Sequence, residues 1–207
     1  MPRIKWVIIL ATGFLIAYFV FLFSARLPAV KNADSTGKNI ICFGDSITFG
    51  YGVKPGEDYP SVLSRISGVP VINAGRDGDT SLLALERLNK DVLAKEPFIV
   101  LIEFCGNDFL KGISQEETAG NMKNIIAQVQ GAGAIAVIVD ISAGLFLRDY
   151  RSKFSALARQ NKAIFIPSVL SGIITNPSMK SDFMHPNKTG YEIIARRVYR
   201  RIKPFLK

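Results

Sequence analysis

A chain of 207 residues with 48% hydrophobic side chains can bury a full domain core, which excludes the disordered and fibrous classes. Its two cysteines, Cys42 and Cys105, are too few for a disulfide-stapled miniprotein and lack the spacing of a metal site, so both are read as small buried hydrophobes. The net charge is +9, part of it in Arg196, Arg197, Arg200, Arg201, Lys203 and Lys207. No aromatic-basic motif accompanies that charge, so nucleic acid is not an expected partner. The carboxyl-terminal cations read either as a solvated helix face or as an attraction to anionic lipid head groups.

Between Lys5 and Arg26 lie twenty residues without a charge, Trp6 to Ala25. As a helix they would span about 30 Å, the thickness of a bilayer's hydrocarbon core. Phe23-Ser24-Ala25 puts an aromatic where a cleavage site wants a small residue, so residues 1–26 are expected to form an uncleaved membrane anchor, the alternative being a cleaved signal. The domain that follows is then expected outside the cytoplasm, or secreted if the segment is removed. Residues 27–38, LPAVKNADSTGK, read as a linker, and residues 39–207 as one domain.

Within that domain strand-like and helix-like stretches alternate. Short apolar runs at Asn39–Phe43, Val69–Ile72, Phe98–Phe104, Ala134–Asp140 and Ala163–Ile166 have the character of parallel strands covered on both faces. Helical periodicity is expected over Thr80–Lys95, with Leu82, Leu85, Leu88 and Val92 on one face, then over Ser114–Gln130, Leu147–Lys162 and Thr189–Ile202. The last opens with Thr189-Gly190-Tyr191-Glu192, which fits a capping box. The pattern predicts a three-layer α/β/α fold on a five-stranded parallel sheet. Ligands of such sheets bind beyond the carboxyl ends of the strands, so the loops there are where chemistry is sought.

The first of those loops is Gly44-Asp45-Ser46, where a serine at a strand-to-helix elbow is either a helix cap or a nucleophile. The only histidine, His185, stands three residues after Asp182 and before Pro186. A carboxylate on one ring nitrogen fixes the tautomer and stabilises the imidazolium of proton transfer, and the proline disfavours helix at His185. Acyl transfer also needs oxyanion donors. The glycine-containing loop Asn73–Thr80 and the triplet Gly106-Asn107-Asp108 offer a backbone N–H and a side-chain amide, although any one of them alone is an ordinary turn. Phe109, Leu110, Leu145 and Phe146 are candidates for an acyl-binding wall or for core edge.

On these blocks the chain resembles the SGNH hydrolases of the GDSL esterase/lipase family, in particular the branch of bacterial thioesterase I, lysophospholipase L1 and arylesterase. The likeness spans about Lys38 to Leu206, in four blocks: Gly44-Asp45-Ser46, Asn73 to Ser81, Gly106-Asn107-Asp108 and Asp182-x-x-His185-Pro186. The resemblance implies a flavodoxin-like fold and a catalytic set of Ser46, Asp182 and His185. The oxyanion hole it implies is made by Ser46, Gly78 and Asn107. It also implies acyl-ester hydrolysis through an acyl-enzyme, with no metal or organic cofactor. Two departures concern the pocket rather than the chemistry: Cys105 replaces the branch's usual glycine, and Phe183 and Met184 replace smaller residues. Lysophospholipids or other acyl esters are the expected substrates. A carbohydrate O-deacetylase and a membrane-tethered binding module without turnover are the alternatives.

Overall fold

Five apolar runs form five strands: β1 (Asn39–Gly44), β2 (Val71–Gly75), β3 (Pro97–Glu103), β4 (Ile135–Val139) and β5 (Ile164–Ile166). This is a computed structural model, and it describes residues 29–143 and 147–206. The expected anchor over residues 1–26, and Leu145 and Phe146, lie outside the described residues. Among the described residues no helix is long and apolar enough to cross a membrane. Residues 29–38, read as a linker, are bonded along the domain: Asn32 Nδ2 donates to the carbonyls of Gln130 and Ala134, each at 2.9 Å.

The strands lie in the order β2-β1-β3-β4-β5, all parallel. Every residue of β3 and β4 is buried, as is β1 from Ile40 onward, whereas the edge strands β2 and β5 are mostly half-buried. Central strands covered on both faces lose the alternating pattern and become continuous apolar runs, which is why they are legible. Cys42 pairs in register with Leu101, not with Cys105, and both cysteines are buried free thiols.

The helices are α1 (Ser46–Phe49), α2 (Tyr59–Ser67), α3 (Ser81–Asp91), α4 (Gly106–Leu110), α5 (Gln115–Gly131), α6 (Arg148–Gln160) and α7 (Lys188–Ile202). α2 packs on α7, and α5 packs on both α3 and α6, completing the three-layer α/β/α architecture. One helix goes beyond the expected elements, and two expectations are corrected. α2 was not expected; Asp58 caps it by accepting from Ser61 N, and Pro60 stands in its first turn, where its missing N–H costs nothing. α7 is capped by Asn187, whose side chain accepts from Gly190 N at 3.2 Å, rather than by a capping box at Thr189. On α3 the buried face is Ser81, Ala84, Arg87 and Leu88, and Leu82 is exposed.

The rotation of α3 has an electrostatic cause. Arg87 points inward, where a buried charge must be paired. Its Nε donates to Asp79 Oδ2 at 2.7 Å, and its terminal nitrogens reach the carbonyls of Ala74 (2.8 Å) and Gly44 (3.2 Å). The guanidinium also lies over the Phe43 ring, 4.4 Å from its centroid. One side chain thus ties together the carboxyl ends of β1 and β2.

The strand order also fixes where a site can form. The chain leaves β1 toward β2 on one side and leaves β3 toward β4 on the other, so the loops after β1 and β3 diverge and leave a crevice between them. Ser46 follows β1 and Asn107 follows β3.

Candidate active site

Ser46 is the first residue of α1, a four-residue helix set on the end of β1. The turn before it is tight. A Cβ on Gly44 would collide with Thr48 Oγ1 and Glu103, and one on Gly75 would collide with the backbone of Thr48 and Phe49. Glycine at both positions lets α1 sit directly on the strand ends, and Asp45 caps it by accepting from Ile47 N at 3.0 Å.

The segment between Ser181 and Pro186 presents His185 from across the crevice. It is closed by Ser181 N donating to His185 O at 3.0 Å and by a bridge between Lys180 and Pro186. Inside that turn Asp182 Oδ1 accepts from the backbone N–H groups of Met184 (2.8 Å) and His185 (2.9 Å), while Oδ2 lies 2.7 Å from His185 Nδ1. His185 Nε2 lies 3.1 Å from Ser46 Oγ. Burial pushes the Asp182 carboxyl up, but the ring nitrogen and the two backbone donors outweigh it and hold it below the usual carboxylate range. The ring of Tyr51 covers that of His185, with 4.4 Å between centroids.

Ser46, His185 and Asn107 share one cavity of about 330 Å³. Its walls are largely apolar: Ile47, Leu110, Ile141, Ala143, Leu147, Leu170 and Ile174 contribute to them. Phe183 and Met184 line it as well, so the two bulky departures in the fourth block do shape the pocket. Of the expected acyl wall, Leu110 lines this cavity, whereas Phe109 is not among its lining residues and is 48% exposed.

Gly78 occupies a neighbouring depression with Arg76, Asp79 and Arg87. Its φ of 74° is a left-handed value that favours glycine. Three bonds join its loop to that of Asn107: Lys111 Nζ donates to Gly78 O at 3.0 Å, and Ser81 donates to Asp108 from its N (3.0 Å, to Oδ2) and from its Oγ (2.5 Å, to Oδ1).

A buried carboxyl pair beneath Ser46 escaped the sequence reading. Asp45 Oδ2 accepts from Asn107 Nδ2 at 3.3 Å, so it aims the amide. Glu103 is fully buried; its Oε2 accepts from Thr48 Oγ1 at 2.9 Å and from Asp45 N at 3.4 Å, and its Oε1 has no hydrogen-bond partner among the described residues. Thr48 has one hydroxyl hydrogen, so with that hydrogen on Glu103 the Tyr59 hydroxyl, 3.1 Å away, is the donor to Thr48. Burial pushes the Glu103 carboxyl well above its ordinary value, and the neighbouring Asp45 pushes it further. Burial also raises Asp45, to about 6, against the Ile47 N–H that lowers it. The sequence signal was an acid ending the otherwise uncharged run of β3.

A raised carboxyl contributes stability that is complete below its unfolded value and is lost as pH rises toward the folded one. The unfolded value of Glu103 is about 4.5, so the wild-type melting temperature is expected to fall between pH 5 and pH 8 from this source. Glu103→Gln keeps the shape and removes the titration, so its melting temperature is expected to change less over that window. An unchanged slope in the variant would show that Glu103 does not carry the effect.

The fold recurs in known proteins. The family model described as GDSL-like Lipase/Acylhydrolase matches residues 42–193. The chain is 29% identical over 194 residues to thioesterase 1/protease 1/lysophospholipase L1 of Escherichia coli K12, covering 90% of this chain and 92% of that protein. It is 28% identical over 177 residues to an arylesterase of Vibrio mimicus, covering 79% of this chain and 87% of that one. Among solved structures, the psychrotrophic esterase EstA from Pseudoalteromonas superposes with a TM-score of 0.74 at 26% identity, over 82% of this chain and 98% of that one. The chain therefore belongs to the GDSL-like Lipase/Acylhydrolase family of ester-bond hydrolases.

Proposed function

We propose that the protein is a serine esterase that cleaves acyl esters of apolar acids through an acyl-enzyme. The observation that carries this is the relay from Ser46 Oγ to His185 Nε2 (3.1 Å) and from His185 Nδ1 to Asp182 Oδ2 (2.7 Å), opening into an apolar cavity. In this reading His185 takes the Ser46 proton as Oγ attacks the acyl carbon. The imidazolium then protonates the leaving alcohol or thiol, and water activated by His185 hydrolyses the acyl-enzyme. Asp182 holds Nδ1–H and stabilises the imidazolium. The oxyanion donors are the Ser46 N–H, the Asn107 amide aimed by Asp45, and the Gly78 N–H, whose loop is bonded to that of Asn107.

The cavity favours a medium or long acyl chain, because each buried methylene adds about 0.8 kcal/mol, roughly a fourfold gain in binding. Lysophospholipase, thioesterase and arylesterase activities are named for similar proteins and define the substrate classes to try. An amino-terminal anchor over residues 1–26 would keep this site beside lipid. The test is a series of p-nitrophenyl esters from acetate to palmitate, with a lysophospholipid and an acetylated sugar, on the wild type and on Asn107→Ala. The expected result is a kcat/KM that rises with chain length, and a kcat lowered about 10²–10³-fold in the variant. Activity on acetate and the acetylated sugar alone would favour the O-deacetylase. Turnover in Asn107→Ala equal to wild type would remove Asn107 from the mechanism.

A further inference from the structure

The eight large hydrophobic side chains exposed among the described residues all lie at the carboxyl end of the sheet. Phe49 and Tyr51 follow β1, and Leu82 and Leu83 open α3 after the β2 loop. Phe109 and Leu110 end α4, and Phe183 and Met184 precede α7. The opposite end and the outer helix faces expose none among the described residues. Single exposed leucines are ordinary, but a set confined to one end of a molecule marks an interaction surface.

Substrate binding accounts for half of this set. Leu110, Phe183 and Met184 line the cavity, and Tyr51 covers His185. Phe49, Leu82, Leu83 and Phe109 do not line the Ser46 cavity, and Leu83 borders the Gly78 depression instead, so apolar surface continues outward beyond the mouth. Cations stand among these side chains. Lys54, Lys111 and Lys180 lie on the same loops and form no ion pair among the described residues; Lys188 is paired with Glu57 and Arg76 with Asp91, and Asp77, Glu86 and Asp182 are exposed acids there. Lys180 Nζ lies 5.8 Å from the centroid of Phe183, the most exposed of the eight at 85%.

We propose that this rim is an interfacial surface that seats the mouth of the Ser46 cavity on an anionic phospholipid layer. Apolar side chains interleaved with Lys54, Lys111 and Lys180 fit that partner: the former enter the boundary between head groups and acyl chains, and each lysine near an anionic surface adds about 1 kcal/mol. The cavity opening at the centre would receive an acyl chain without passing it through water. The choice of lipid rests on the ester-hydrolase reading, whereas the docking itself can be measured without turnover.

The buried thiols of Cys42 and Cys105, both pushed up by burial, leave an introduced surface cysteine as the reactive one. The full chain carrying Leu83→Cys, labelled with an environment-sensitive fluorophore, is mixed with vesicles of phosphatidylglycerol and phosphatidylcholine. The same is done with Ala132→Cys, exposed at the opposite end of the sheet. A blue shift is expected at position 83 and not at 132, and it should weaken with phosphatidylcholine alone. No shift at 83, or equal shifts at both positions, overturns the proposal; a shift at 83 only with a soluble acidic protein would assign the rim to a protein partner instead. As a second arm, Leu82→Asp is expected to lower hydrolysis of a vesicle-borne ester about tenfold while leaving soluble p-nitrophenyl acetate untouched. Equal loss on both esters counts against docking. Absence of serine-dependent turnover of the soluble ester would sink the hydrolase reading alone, since the label reports binding.

Discussion

Replacing Ser46 by alanine is expected to lower kcat by about 10⁶-fold, the scale seen when the nucleophile of a serine–histidine pair is removed. The size follows from the surroundings, because among the described residues Ser46 Oγ is the hydroxyl bonded to His185 Nε2. Thr48 Oγ1 is turned away from the cavity toward Glu103 and Tyr59. Ser142 Oγ donates to Asp140 and accepts from Arg151 Nε. Folding should be nearly unaffected, since the lost group makes a single bond, to His185, and one hydrogen bond contributes about 1 kcal/mol. The measurement is steady-state turnover of a p-nitrophenyl ester with a thermal melt of the same sample. Turnover within tenfold of wild type, in a variant that melts normally, would exclude Ser46 as the nucleophile. The contrast with Asn107→Ala is informative, because a missing oxyanion donor slows a reaction whose route survives, whereas a missing nucleophile removes the route.

The parts of this arrangement that were legible in the sequence are those whose residue types are constrained locally. β1, β3 and β4 are buried on both faces, so they had to be continuous apolar runs. Asp182 and His185 stand in one turn, so a spacing of three residues sufficed to relate them. Ser46 and His185 are brought within hydrogen-bond distance by topology, and no local pattern connects them; the four ordered blocks stood in for that knowledge. What escaped depends on contacts between elements. Arg87 reads as a surface arginine until Asp79 and the carbonyls of β1 and β2 are seen around it, and its burial turns α3 so that Leu82 faces outward. Glu103 reads as the polar end of a strand, yet it lies under Ser46 with Thr48 and Asp45 as its donors. α2 lacked a long apolar period and was marked only by Asp58 and Pro60.

Asp182→Asn is expected to lower kcat by about 10⁴-fold without disturbing the turn that holds it. The two carboxylate oxygens have separable roles. Oδ1 accepts from Met184 N and His185 N, and an asparagine carbonyl can keep both bonds, so the turn survives. Oδ2 faces His185 Nδ1, and there the variant presents an NH₂ group. Nδ1 must then accept, which places the ring hydrogen on Nε2, pointing at Ser46 Oγ. An imidazole that donates to the serine cannot also take its proton, so the relay is blocked although every heavy atom stays in place. Asp182→Ala separates the two roles, since it also removes the acceptor for both backbone N–H groups; it is expected to lose the thermal stability that the asparagine variant retains. The deciding measurement is kcat beside the melting temperature for both variants. An asparagine variant with native stability and near-native kcat would mean that Asp182 shapes the loop and has no part in proton transfer.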